Sequence, residues 1–292
     1  MNSVKKCILL NAGTQTRRAF KAGLTTAECE HYATKKMALH IRAHTEPLFL
    51  YKNKPIDWND SFVFTRLRAT DQQFCGILYD YFAQHQIPAS DPINHSYVNS
   101  AEKISQMLLL SMNEITVPDT IIFREESFAA NNEYIQSHLT FPLIFKTDGS
   151  RGRNVHYVEE YAALEKLLQH KKPHVLALVQ PFIPNSFDTR TIVAFGNILG
   201  SIKRERTSGY LNNVAQGATP SRYALTEAEE RIAINAARVC GIDIAGVDMI
   251  HTTDGPIVIE VNKSPQIQGF ESVHEFKVFT KIAELAAQKY QK

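Results

Sequence analysis

Gly246-Val247-Asp248-Met249-Ile250, the turn Thr252-Thr253-Asp254-Gly255-Pro256 and Ile257-Val258-Ile259-Glu260-Val261-Asn262 read together as a β-hairpin. Both arms are apolar except for a few oxygen-bearing side chains. Side chains alternate along a strand, so Glu260 and Asn262 share a face that Val261 does not. Directly opposed residues of an antiparallel pair also share a face. Asp248 therefore joins Glu260 if the loop is built on Thr253-Asp254-Gly255, an odd number of residues. A tight two-residue turn sends Asp248 to the other face unless a bulge corrects the register. Two carboxylates and an amide oxygen side by side require neutralising charge. An oxygen-only set suits a hard ion, Mg²⁺ before a transition metal. Read alone, the same residues are equally the solvated polar ends of two strands.

Upstream of the hairpin, Thr226-Glu227-Ala228-Glu229 is a capping box, and the helix it opens stops at Gly241. Residues 190–194 and 198–204 read as paired strands around Gly196-Asn197, the second ending at Arg204. Residues 175–180 form a strand that runs into Pro181-Phe182-Ile183. Before it, 141–146 is a buried-type strand ending in Lys146. The following Thr147-Asp148-Gly149-Ser150-Arg151-Gly152 has glycines that let backbone N–H groups approach a phosphate. Helices are expected at 100–112, which carries Lys103, at 131–139, at 162–170 and at 273–290. The first 95 residues read as a small α/β domain. Its strands are expected at 6–10, 47–51 and 62–64, and its helices at 27–40 and 71–85. Arg66 and Arg68 flank Leu67 at a strand end, a solvated terminus or a contact for an acidic substrate.

With 292 residues the chain is long enough for two or three lobes, and 44% hydrophobic with 21% charged residues is an ordinary globular composition. A formal charge of +2 gives no argument for nucleic acid. Four cysteines without a CxxC pair suit neither a zinc site nor a disulfide framework, and fit a reducing, cytoplasmic setting. No apolar run is long enough for a membrane span. The eleven histidines show no HxH or HExxH spacing.

The order of these features resembles the ATP-grasp superfamily, and within it the RimK-like carboxylate–amine ligases. It begins with a lysine in a helix, a lysine before a glycine loop, and Gln180 before an aromatic residue. Asp188-Thr189-Arg190, Arg204, Asn213 and Gly217 follow, then Asp248 and Glu260-Val261-Asn262-Lys263-Ser264-Pro265. The resemblance covers roughly 95–292. It implies an α/β ATP-grasp fold in three parts: an N-terminal α/β domain (1–95), a central lobe (96–175) and a C-terminal lobe carrying the metal site (176–292). It also implies that Lys103 and Lys146 hold the phosphates of ATP, with Gly149, Ser150 and Gly152 folding over them. Gln180 and Phe182 would be the adenine hinge and Asp188 would lie near the ribose. Arg204 and Asn213 would face the transferring phosphate, and Arg190 a substrate carboxylate or acyl phosphate. Asp248, Glu260 and Asn262 would bind Mg²⁺, or Mn²⁺ in its place.

The implied activity joins a carboxylate, from a small molecule or a peptide, to the amine of an amino acid. A ligase closing amide bonds within one peptide is a close variant, and a homo-oligomer is compatible with either. A degenerate nucleotide- or peptide-binding regulatory module is the rival from another class. The family usually has an acidic residue where this chain has Pro181, which leaves the Pro181 carbonyl and the Phe182 N–H for adenine. Lys263 and Gln266 also depart from the small residues common beside Ser-Pro, on the acceptor side of the pocket.

Overall fold

The computed structural model describes residues 5–24, 27–40, 47–65, 72–91, 103–147, 155–169, 176–205 and 219–290. The chain opens with a βαβ unit: β1 (Lys6–Leu10), α1 (Thr14–Gly23) and β2 (Glu28–Tyr32). β1 pairs in parallel with β2 and with β6 (Ser61–Thr65), giving the order β2-β1-β6. Between them lie β3 (Met37–His40), β4 (Leu48–Tyr51) and β5 (Lys54–Pro55), a small antiparallel sheet, and α2 (Gln72–Gln84) follows. The helix expected over 27–40 is thus two strands joined by a short 3-10 turn at Thr34–Lys36. Tertiary pairing overrides local propensity there. Cys29 and Tyr32 sit opposite Cys7 and Leu10, and Asn11 pins the turn by accepting the Thr34 N–H at 2.9 Å. α1 was not expected. Its Thr-Gln-Thr-Arg-Arg start is polar, and Phe20 is its large buried anchor.

The second sheet is antiparallel, in the order β7 (Ile121–Arg124), β10 (Leu176–Pro181), β8 (Leu143–Thr147), β9 (Val155–Val158). Helices α4 (Phe128–His138) and α5 (Tyr161–Leu167) belong to this lobe. Phe128, Ile135 and Leu164 complete its separate core with Phe123, Phe145 and Val179. β10, which begins at Leu176, lies inside this second sheet. At the other end, α3 (Lys103–Met112) packs with the C-terminal sheet through Met107 and Leu110. Gln106 fixes that docking with two backbone bonds to Val261: Nε2 donates to its carbonyl at 2.7 Å, and Oε1 accepts its N–H at 3.0 Å.

The third sheet is antiparallel, in the order β13 (Thr219–Arg222), β12 (Asn197–Glu205), β11 (Phe187–Ala194), β14 (Ile244–Thr252), β15 (Gly255–Asn262). The expected capping box is present: Thr226 and Glu229 bond reciprocally and open α6 (Glu227–Val239), with Gly241 at φ +63 beyond its end. The last expected helix starts later than 273, as α8 (Val278–Tyr290), and a short unexpected helix, α7 (Gln268–Glu271), precedes it. α8 packs against α1 so closely that a Cβ on Gly23 would lie 3.0 Å from the Cβ of Ala283. One continuous core runs from Leu9, Phe20 and Phe64 of the first domain through Ile192, Ile202 and Ile244 to Phe270 and Phe279. The first domain is thereby fixed to the third sheet. Among the described residues no helix is long and apolar enough to cross a membrane.

Candidate active site

The hairpin arms β14 and β15 meet at Thr252↔Gly255, so the turn is the two-residue Thr253-Asp254 rather than the odd loop built on Thr253-Asp254-Gly255. Regular pairing from that turn would set Asp248 opposite Ile259. A register shift between Asp248 and Met249 inserts one residue in β15, and Asp248 faces Glu260 after all. The bulge corrects the parity.

Rows of paired residues then build the polar face of the sheet. Gly200, Ile192, Gly246 and Asn262 form one row across β12, β11, β14 and β15. Ile202, Arg190, Asp248 and Glu260 form the next, and Arg204 opposite Asp188 forms the third. Arg190 binds Asp248 with a fork, Nε to Oδ1 at 2.7 Å and Nη2 to Oδ2 at 2.6 Å. Arg204 joins two carboxylates, donating from Nε to Asp188 Oδ1 at 2.5 Å with Nη2 at 3.1 Å from Asp248 Oδ2. The result is a chain, Asp188–Arg204–Asp248–Arg190, in which Asp188, Arg204 and Asp248 are almost fully buried. Burial pushes the Asp188 carboxyl up to about 7, against the pull of Arg204 and helped by the nearby Asp248 charge. Burial also acts to raise Asp248, but Arg190 and Arg204 together hold it below the usual carboxylate range.

Asn262 sits between charges of opposite sign. With its amide oriented to suit both, Nδ2 donates to Glu260 Oε1 at 2.7 Å and Oδ1 accepts from Arg190 Nη2 at 3.3 Å. Glu260 and Asn262 are half-buried, so these donors reach the surface of the site while Asp248 lies beneath. Among the described residues no group of three or more His, Cys, Asp and Glu side chains could hold a metal. The donor set is two carboxylates and an amide. Its chemistry fits a hard divalent cation: Asp248 Oδ2 already meets Arg190 and Arg204, but Oδ1 keeps a second lone pair beyond its one arginine bond.

In the central lobe Lys146 Nζ donates to Gln180 Oε1 at 2.8 Å, and Gln180 Nε2 donates to Thr120 Oγ1 at 2.9 Å. Gln180 is buried between these two partners. The Phe182 N–H, expected to be free for adenine, donates to the Pro142 carbonyl at 2.8 Å. Its ring stands edge-on to Tyr157, with centroids 5.0 Å apart. Asp188, expected near a ribose, is instead the buried partner of Arg204. Gly149, Ser150, Gly152 and Asn213 lie outside the described residues, as do Arg66, Arg68 and the side chain of Lys103.

A cavity of about 750 Å³ opens beside the arginines. Arg190 and Arg204 form part of its wall, and the segment after β15 supplies Ser264, Gln266 and Gln268. Gln15 of α1 reaches it from the first domain, though no motif around it marks it as a site residue.

An arginine–carboxylate chain beside an oxygen-donor hairpin on one sheet, with Lys146 on the strand of a separate lobe, is an arrangement that suits a nucleotide-dependent ligase of the ATP-grasp class. Residues 100–286 match the RimK-like ATP-grasp domain, and the chain belongs to that family. It is an ATP-dependent ligase. A Pseudomonas aeruginosa protein named "Probable alpha-L-glutamate ligase" is 28% identical over 270 residues, 88% of this chain and 86% of that protein. The ATP-grasp ligase PsnB, solved with a phosphomimetic variant of its minimal precursor, Mg and ADP, superposes with a TM-score of 0.73 at 13% identity, over 100% of both chains. A RimK domain ATP-grasp protein from Sphaerobacter thermophilus gives 0.63 at 20% identity, covering 98% of this chain and 100% of that one.

Proposed function

We propose that the chain joins a carboxylate to an amine through an acyl phosphate, with the carboxylate seated in the cavity beside Arg190. The observation that carries this reading is the buried chain Asp188–Arg204–Asp248–Arg190 at the wall of that cavity. The Arg190 fork on Asp248 uses Nε and Nη2 and leaves Nη1 to meet a carboxylate or the phosphate transferred to it. Phosphoryl transfer needs positioned charge more than covalent help, and fixed guanidinia supply it without reorganisation. This agrees with the lack of a nucleophilic triad motif in the sequence.

In the first step a carboxylate oxygen attacks the γ-phosphorus of ATP, the bond to the β-phosphate oxygen breaks, and ADP leaves. In the second a neutral amine attacks the acyl carbon, and the C–O bond to phosphate breaks as the amide forms. The nitrogen loses one proton, which leaves with the phosphate or to water. Asp248, Glu260 and Asn262 would hold Mg²⁺, with Mn²⁺ as a substitute, and the ion would neutralise phosphate charge. Lys146, fixed by Gln180, would bind phosphates from the central lobe. Excluding water protects the acyl phosphate from hydrolysis, a task suited to the 148–154 glycine loop.

Relatives named as glutamate ligases support an amino acid as the amine. Structures such as PsnB with precursor peptide PsnA2 support a peptide substrate, and the macrocyclase MdnC solved with precursor peptide MdnA supports ring closure within one peptide. Mass spectrometry of products formed from Mg-ATP with amino-acid and peptide panels tests the reading. ADP together with a condensed product is expected; no ADP with any carboxylate–amine pair overturns it. Glu260→Gln is expected to abolish turnover with the fold intact, as read by circular dichroism.

A further inference from the structure

The polar face of the third sheet contains a row with glycine on both sides of Ile192: Gly200 in β12 and Gly246 in β14. Missing side chains leave two notches, and the segment from Lys263 to Lys277 lies across both. A Cβ on Gly246 would come within 2.6 Å of the Pro265 Cβ and 3.6 Å of Arg190 Cδ. A Cβ on Gly200 would lie 2.9 Å from His274 Cε1 and 3.1 Å from Phe270 Cζ. The second notch is closed by a stacked Phe270–His274 pair, ring centroids 4.1 Å apart. The Val273 carbonyl next to it accepts from Arg222 Nε at 2.5 Å. Pro265 is buried, while Ser264 and Gln266 on either side of it are exposed and line the cavity.

The two glycines differ in what they permit. Gly200 has φ +148, so any side chain there strains the backbone. Gly246 has no such positive φ, so its backbone accepts alanine and an added methyl is opposed by the proline alone. A ring seated on bare backbone also sets the height of the segment above the sheet. The stem of Arg190 runs along the same notch, so one contact fixes both the cavity wall and the arginine.

We propose that Gly246 and Pro265 are a positioning pair, which holds the 263–269 wall of the substrate cavity and the Arg190 stem at their working separation. This deepens the ligase reading and rests on it for its kinetic consequence. Neither residue touches the reacting atoms; both act through the wall and Arg190. The pairing is steric, so it predicts that the effect of a methyl at 246 depends on what stands at 265.

Four proteins test it: wild type, Gly246→Ala, Pro265→Gly and the double variant. In Gly246→Ala the KM of the cavity-bound substrate is expected to rise about tenfold or more, with the KM for ATP within about threefold of wild type. In the Pro265→Gly background the same alanine is expected to change it by less than about threefold, the non-additivity of a direct contact. Hydrogen exchange across 263–276 is expected to quicken in Gly246→Ala and not to quicken further when alanine is added to Pro265→Gly. Equal effects of alanine in both backgrounds, or unchanged exchange, overturn the pairing. If Gly246→Ala does not fold, folding of the double variant supports the pairing and failure of both overturns it. If wild type makes no ADP with any substrate pair, the ligase reading fails, and hydrogen exchange still decides the notch.

Discussion

On one face of the third sheet Val193, Ala245, Val247, Met249, Val258 and Val261 pack with Ala233, Ala236 and Ala237 of α6. On the other face, one residue away along the same strands, Arg190, Asp248, Glu260 and Asn262 stand together. Both faces are largely shielded from water, yet they tolerate different things. The apolar face needs volume, since its stabilisation scales with area removed from water and with the absence of voids. The polar face needs partners, because a buried charge is sustained only while its counter-charge remains. Strand alternation lets a single strand meet both demands, so adjacent substitutions in β14 should fail in different ways.

Asp248→Ala should have the largest effect, because it leaves two guanidinia facing a gap. Turnover is expected to fall below detection, and stability by about 3–5 kcal/mol, the cost of breaking a buried pair from one side. Urea unfolding of the nucleotide-free protein reads the second number; a loss under about 1 kcal/mol would mean the arginines find other partners. Met249→Ala, one residue along and fully buried, should cost about 2–5 kcal/mol through the cavity it leaves. Its kcat per folded molecule should match wild type at a temperature where both are folded. A kcat loss as large as that of Asp248→Ala would erase the distinction between the faces.

That distinction was legible in the sequence, because period-two alternation around Asp248 and Glu260 needs no tertiary information. The bulge was not. Whether Gly255 belongs to the turn or to the strand depends on pairing energies along the whole arm, and Gly255 at φ +117 suits either. The capping box at Thr226 and Glu229 was readable because its partners are three residues apart. The helix expected over 27–40 failed for the opposite reason: parallel pairing of β2 with β1 is a contact between distant residues. The same pairing sets Cys29 opposite Cys7, far apart in sequence yet neighbours in the sheet. Ligand-type residues on strands could be listed from sequence, but Gln15 and the glycine notches could not. Their meaning depends on which segment crosses the sheet. The Phe182 N–H was misjudged likewise, since its acceptor Pro142 lies on another strand's approach.

A smaller effect separates the faces by charge alone. His251, near the end of β14, lies within hydrogen-bond reach of Thr189 Oγ1 and Glu229 Oε1, each at 3.0 Å, and stacks on Phe187 at 5.4 Å. Burial lowers its pKa, and the Glu229 carboxylate only partly offsets that. The folded protein therefore holds this proton less tightly than the unfolded chain, which takes it up as pH falls below about 6.5. Stability from the neutral imidazole is full above that pH and is lost as pH falls through the folded pKa. His31 and His274, also lowered chiefly by burial, act in the same sense. Asp188 acts in the opposite one: raised to about 7, it favours the folded state as pH falls from there toward its ordinary value. The wild-type pH profile thus mixes the two signs, and a comparison with His251→Gln isolates one. Between about pH 7.5 and 5.5 the urea midpoint of wild type should fall further, or rise less, than that of His251→Gln. Parallel profiles would mean that His251 and Glu229 exchange protons without consequence for the fold, and that burial on this side of the sheet is too shallow to matter.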